Sequence, residues 1–157
     1  MKLRMDIMTK HQKYMELAKQ IGELFSKDNS TKVGAIVVGE DGSILTTGYN
    51  GFVRGSDDSN PLWHERPMKY SVTSHAECNA IYNAARNGVK MIGSSMYISS
   101  LCPCNNCSMA IVQSGVKNVY LSEWAFSSDN PRGQAWINVW PLSKEILDIG
   151  EVNVEII

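Results

Sequence analysis

Two short stretches, His75-Ala76-Glu77 and Pro103-Cys104-Asn105-Asn106-Cys107, decide how this chain is read. The first supplies an imidazole and a carboxylate, and the second supplies two thiols three residues apart. His75, Cys104 and Cys107 make three ligands for a zinc ion, and Glu77 is a carboxylate left free to move protons. Three protein ligands keep a fourth position open for water, which distinguishes a hydrolytic zinc site from a structural one.

Each stretch is expected to open a helix. His75 to Asn87 is rich in Ala and stops at Gly88, a residue suited to a left-handed cap. Pro103 stands where a helix tolerates a missing N–H, and that helix runs to about Ser114 and ends at Gly115. Cys104 and Cys107 would then share one face of its first turn, where the helix dipole favours thiolate. Glu77 follows His75 by two residues, so its side chain points away from the imidazole and reads as a proton carrier rather than a fourth ligand. Clustered cysteines with a distant His favour metal over disulfides. Cys102 precedes Pro103 on the strand-to-helix turn and is placed outside the ligand set, since its joining would close the site as Cys₃His. Cys78 is expected to pack as a small apolar residue.

Outward from these motifs the chain alternates helix and strand. Thr9 is an N-cap for a helix in which Tyr14, Leu17, Ala18, Ile21, Leu24 and Phe25 recur at spacings of three and four. Asp28-Asn29-Ser30 breaks it. Val33–Val38 and Ile44–Tyr49 read as strands joined by a turn at Glu40-Asp41-Gly42, with further strands at Met96–Ser99, Val119–Leu121 and Val152–Ile157. Residues 50–74, with Gly51, Gly55, Pro61 and Pro67, read as one long loop with a functional use. Beyond Glu123 the pattern weakens: Trp124, Trp136 and Trp140 show no period, Pro141 interrupts the segment, and Leu142–Ile149 reads as a short helix. The order α, β-hairpin, α, β, α, β, α, β predicts an α/β fold with right-handed crossovers and helices on both faces of a mixed sheet.

A length of 157 residues suits one domain, read as 1–157. The net charge of −1 argues against a strongly basic nucleic-acid face. No apolar run approaches the roughly 18 residues of a membrane span, and Met1 to Lys10 lacks the apolar stretch of a signal peptide. A cytoplasmic protein is expected.

Thr31-Lys32-Val33-Gly34-Ala35, Gly48-Tyr49-Asn50-Gly51, Lys69-Tyr70, His75-Ala76-Glu77 with Asn79-Ala80-Ile81, Met96-Tyr97 and Pro103-Cys104-x-x-Cys107 together resemble the deoxycytidylate (dCMP) deaminase family of the cytidine deaminase superfamily. The resemblance runs from about Tyr14 to Glu123. The two metal motifs are shared across the superfamily. The Gly-Tyr-Asn-Gly loop, followed by Arg54, Gly55 and Asp57-Asp58, points to the dCMP branch. The resemblance implies a three-layer α/β/α fold around a mixed sheet of about five strands. It implies hydrolytic deamination of dCMP to dUMP and ammonia, feeding thymidylate synthesis, by a homo-oligomer with a hexamer favoured. His75, Cys104 and Cys107 would hold Zn²⁺, and Glu77 would shuttle protons among water, ring N3 and the leaving amine. Asn50 would contact the sugar; a turn Asn in a left-handed conformation before Gly is its alternative reading. Ala76, Lys32 and Lys69 would join the substrate site, with Lys32, Arg54, Arg66 and Lys69 the unranked cations for the 5′-phosphate. Many relatives respond to dCTP and dTTP with Mg²⁺ at a second site, for which Gly51, Arg54 and Asp58 are the candidates.

The Met96-to-Cys104 segment is one residue longer than the usual family form, and a β-bulge is expected to absorb it. The competing readings are a tRNA adenosine, free-base or riboflavin-pathway deaminase, and a noncatalytic zinc module.

Overall fold

The structure is a computed structural model that describes residues 7–157, so the first six residues of the Met1-to-Lys10 stretch lie outside it. The elements are α1 (Lys10–Phe25), β1 (Gly34–Val38), β2 (Ile44–Tyr49), α2 (Pro61–His64), α3 (Met68–Val72), α4 (Ala76–Asn87), β3 (Ser95–Ile98), α5 (Asn105–Gln113), β4 (Asn118–Leu121), α6 (Pro131–Trp136), α7 (Trp140–Ile149) and β5 (Asn153–Ile156). Two single turns of 3₁₀-helix, Glu123–Phe126 and Ile137–Val139, flank α6. The five strands form one sheet in the order β2-β1-β3-β4-β5. β1 pairs antiparallel with both β2 and β3, while β3-β4 and β4-β5 are parallel. This is the mixed sheet the element order predicts.

All five residues of β1 are buried, because both faces of the strand are covered. Ala35 and Val37 share a core with Ala76, Ala80 and Ala84 of α4, Ile111 of α5 and Leu147 of α7. Ile36 and Val38 face the other way, onto Met15 and Ala18 of α1. Tyr97 of β3 follows the same period-2 alternation toward α1, whereas Met96 and Ile98 point to the α4 side. The result is three layers, α1 on one side and α4, α5 and α7 on the other.

The first helix starts where the sequence says. Thr9 Oγ1 accepts the Gln12 N–H at 3.2 Å and Gln12 Oε1 accepts the Thr9 N–H at 2.8 Å, a reciprocal cap. Gly88, at φ 66°, terminates α4 in the left-handed region.

Four local expectations are corrected. Residues 50–74 are not one loop but carry α2 and α3, too short to show a helical period; Asn60 Oδ1 caps α2 by accepting the Leu62 N–H. Pro141 lies in the first turn of α7 rather than interrupting the segment, a place where no N–H is needed. Pro103 precedes α5, whose N-cap is Cys104, so the two cysteines do not lie on one helical face. The longer Met96-to-Cys104 segment makes no bulge in β3, which pairs in unbroken register on both sides. Just past the strand, Ser100 takes φ 70°.

The segment carrying α3 is tied down by a buried ion pair. Lys69 Nζ lies 2.7 Å from each oxygen of Asp28 and 2.7 Å from Ser30 Oγ. Burial acts to raise the Asp28 pKa, but the bonds from Lys69 and Ser30 outweigh it and hold the carboxyl below the usual carboxylate range.

At Gly48 in β2 the helix layer comes to backbone contact. A Cβ there would stand 2.2 Å from the Ala76 carbonyl oxygen and 2.3 Å from the Ala80 nitrogen. The first two turns of α4 therefore lie directly on the strand. Gly48→Ala must push α4 outward, and overpacking of this kind costs about 1–3 kcal/mol; a lower melting temperature together with reduced zinc stoichiometry is expected from thermal unfolding and metal analysis.

The Asp28–Lys69 pair predicts an acid dependence. A carboxyl depressed in the folded state stabilises the protein above its unfolded pKa of about 3.9, and that stability is lost as pH falls through the lower folded value. Asp28→Asn leaves a buried ammonium without its counterion, at a cost of about 3–5 kcal/mol near neutrality. In melting curves from pH 7 to pH 2, the gap between wild type and Asp28→Asn is expected to shrink as the solution becomes more acidic.

Candidate active site

Two helix starts converge beyond the carboxyl end of β3, the side of a parallel sheet on which α/β folds place ligands. His75 is the N-cap of α4 (φ −75°, ψ 156°) and Cys104 is the N-cap of α5 (φ −79°, ψ 172°). An extended N-cap residue turns its side chain back over the first helical turn. Cys107, third residue of α5, therefore meets Cys104 across that turn rather than along a helical stripe. Neither side chain makes a capping hydrogen bond, so both are free to face a common point.

His75 Nδ1 lies 3.4 Å from Cys104 Sγ and 3.4 Å from Cys107 Sγ, and all three ligand atoms fall within 4.8 Å of one another. A tetrahedral zinc with bonds of about 2.0 Å to nitrogen and 2.3 Å to sulfur would set N and S about 3.5 Å apart. The electrostatics agree. Cys104 is held at about 4, first by its hydrogen bond with Cys107 and then by the imidazole, against the effect of burial. His75 is raised to about 9 by Cys104. Cys107 is pushed up by its hydrogen bonds with Cys104 and Cys78 and by burial. Two thiolates this close resist joint ionisation, and a divalent cation between them removes that resistance. The residues fit Zn²⁺.

Glu77, the second residue of α4, is 4% exposed, and burial raises its carboxyl above the ordinary range. It stands outside the three-ligand group. Cys102 is also outside it, buried, with its thiol pushed up to about 11 by burial. Cys78 is not simply an apolar filler: it is half-buried, and its sulfur lies 3.7 Å from that of Cys107.

A cavity of about 350 Å³ opens beside this group. Asn50, Lys69, Ala76 and Glu77 line it, as does Arg66. Asn50 is not left-handed. Its Oδ1 accepts the Val33 N–H at 2.9 Å and the Ser26 hydroxyl at 2.6 Å, and its Nδ2 donates to Thr31 O at 2.7 Å. One amide hydrogen remains for a ligand. Lys69 is already neutralised by Asp28. Lys32 is absent from the cavity wall, although its neighbours Thr31 and Val33 line it; in the extended chain its side chain goes the other way, to the Glu23 carbonyl at 3.1 Å. Gly51, Arg54 and Asp58 lie in a separate open groove of about 960 Å³, where Asp58 pairs with Lys27 at 2.8 Å and Arg54 donates to Asn83.

The far wall comes from the C-terminal segment, whose tryptophans the sequence leaves open to core packing, a subunit interface or the nucleotide pocket. Arg132, Trp136 and Asn138 line the cavity. Trp136 stands edge-on to His75 with ring centroids 5.9 Å apart, and its indole N–H donates to the Cys102 carbonyl at 3.0 Å. Asn130-Pro131 is a helix-start signal, N-cap followed by proline, that could have located α6; nothing in the sequence says that α6 turns toward the site.

Residues 8–123 match the family model described as "Cytidine and deoxycytidylate deaminase zinc-binding region". A probable deoxycytidylate deaminase of Caenorhabditis elegans is 38% identical over 117 residues, 73% of this chain and 57% of that protein. The deoxycytidylate deaminase of Homo sapiens is 38% identical over 110 residues, 66% of this chain and 60% of that protein. The chain thus spans well under two thirds of these curated relatives. Over its whole length it superposes on the dCMP deaminase of cyanophage S-TIM5 solved with dCMP and dUMP, with a TM-score of 0.68 and 28% identity, covering 100% of this chain and 99% of that one. Sequence match and metal geometry agree, and the chain belongs to the cytidine and deoxycytidylate deaminase zinc-binding family.

Proposed function

We propose that this chain is a zinc-dependent deaminase domain that hydrolyses dCMP to dUMP and ammonia, with the product supplying thymidylate synthesis. The observation that carries the reading is Glu77: a buried carboxyl with a raised pKa, beside a three-ligand group and facing a cavity. A structural zinc module has no use for such a group. The 28% identical phage enzyme, solved with both dCMP and dUMP, supports the choice of substrate.

His75, Cys104 and Cys107 would hold the zinc, which when bound supplies Lewis acidity that brings a water's pKa toward neutrality. Glu77 takes a proton from the attacking water and passes it to ring N3. The oxygen adds at C4; Glu77 then takes the remaining proton of that C4 hydroxyl and delivers it to the exocyclic nitrogen, so that the C4–N bond breaks, C4 becomes a carbonyl and the nitrogen departs as ammonia. One carboxyl serves both directions because burial lifts its pKa toward the working pH. Asn50 has one amide hydrogen left to hold the sugar, and the Ala76 backbone, at the start of α4, borders the base.

The groove holding Gly51, Arg54 and Asp58 is assigned to a regulatory nucleoside triphosphate with Mg²⁺, dCTP activating and dTTP inhibiting. The family resemblance favours a homo-oligomer, a hexamer, in the cytoplasm. No helix among the described residues is long and apolar enough to cross a membrane.

The deciding experiment is ammonia release from dCMP, with cytidine, dCTP, guanine and tRNA adenosine as alternatives. dCMP is expected to be the best substrate; preference for another would move the chain to a different branch, and no turnover of any by zinc-loaded protein would favour the structural module. Glu77→Gln should lower kcat by about 10²–10⁴-fold or more while zinc content and melting temperature stay at wild-type levels. Titration with dCTP and dTTP should shift the dCMP saturation curve in opposite directions; a flat response to both removes the regulatory assignment.

A further inference from the structure

The wall of the 350 Å³ cavity carries more positive charge than its carboxylates use. Asp28 and Lys69 cancel each other within the wall. Arg66 and Arg132 also line the cavity, and among the described residues neither is in an ion pair. Arg66 uses its Nε to donate to Tyr70 Oη at 2.7 Å, with the guanidinium carbon 5.7 Å from that ring's centroid. That contact sets the direction of the side chain and leaves its terminal nitrogens available.

The helix backbone that carries Arg132 has a built support. Its helix begins at Asn130, which is 4% exposed and spends every bond on structure: Nδ2 donates to Ser100 O and Trp124 O, each at 2.9 Å, and Oδ1 accepts the Gly133 N–H at 2.9 Å. Gly133 packs so tightly that a Cβ would meet Ala125 O at 2.4 Å. Trp136 closes the other end on the Cys102 carbonyl. Ser100, with φ 70°, thus provides one of the anchors for the helix that carries Arg132. Arg132 lies beyond residues 8–123, so the family match does not account for it.

We propose that Arg132 and Arg66 form a two-arginine clamp for the phosphate of a nucleoside 5′-monophosphate, so that the cavity accepts the phosphorylated substrate and rejects the free nucleoside. A phosphate monoester carries close to two negative charges at neutral pH, and planar guanidinium groups match its oxygens. A nucleoside leaves both arginines without an anion. The proposal rests on the deaminase reading and adds to it which residues select the phosphate.

The test compares zinc-loaded wild type, Arg132→Gln, Arg66→Gln and Arg132→Lys, after melting temperature and zinc content have been matched. Two readouts are used: kcat and KM for dCMP and deoxycytidine, and equilibrium binding of dUMP and deoxyuridine. Each Gln variant should raise KM for dCMP by about 10- to 100-fold with little change in kcat, and leave the poor turnover of deoxycytidine where it was. The preference for dUMP over deoxyuridine should collapse in the Gln variants and be partly kept by Arg132→Lys. Wild-type preference for dUMP in either Gln variant overturns the clamp. If wild type fails to deaminate dCMP, the substrate reading falls on that result alone, while the dUMP–deoxyuridine comparison still decides the clamp.

Discussion

The convergence of two helix starts on one point is the constraint from which the rest of the site follows. His75 and Cys104 are both extended N-cap residues, and both turn a side chain inward instead of capping their own helix. An imidazole and two sulfurs brought to 3.4 Å cannot all adopt their metal-free charge states comfortably, which is why Cys104 and Cys107 are driven in opposite directions. A divalent cation satisfies all three. The cluster is therefore a demand for metal as much as a container for it.

That convergence depends on how closely α4 can approach the sheet. Gly48 lets the backbone of Ala76 and Ala80 rest on β2, and the small residues Ala76, Ala80 and Ala84 keep the whole helix low against Ala35 and Val37. At the other end of the site, Trp136 and Asn130 hold the C-terminal segment against the Ser100–Cys102 turn. The thiolate loop is thus packed from both sides, by α4 beneath and by α6 beside it. Such support from neighbouring elements is what keeps ligand geometry fixed.

Charge is distributed in the cavity with the same economy. Lys69 looked from the sequence like a cation for substrate, yet in the fold it is bound to Asp28 and serves to fasten α3 to the turn after α1. Lys32 sits between two cavity residues and faces outward by the alternation of an extended chain. Among the described residues, the cavity cations outside any ion pair are Arg66, from the segment read as a loop, and Arg132, from the segment where the pattern weakens. Type and position along the chain could nominate basic residues but could not say which ones another side chain had already neutralised.

The sequence by itself determined which imidazole and thiols the fold gathers, nominated Glu77 beside them, and set the order of the sheet strands and of the helices packed on them. Those signals are local: a His-x-Glu, a Cys-x-x-Cys, a 3.6-residue period in α1, a β-branched run in β1, and a glycine past α4. It also marked the segment before Pro103 as unusual, though not that β3 would pair in unbroken register and Ser100 beyond it take φ 70°. Only the tertiary structure decided which side chains face the cavity, that Asn50 is nearly saturated by Val33, Ser26 and Thr31, and that the tryptophan segment folds back to form a wall. These are contacts between residues 17 to 41 or more positions apart. They depend on how whole elements pack, and no period or motif within one element carries that information.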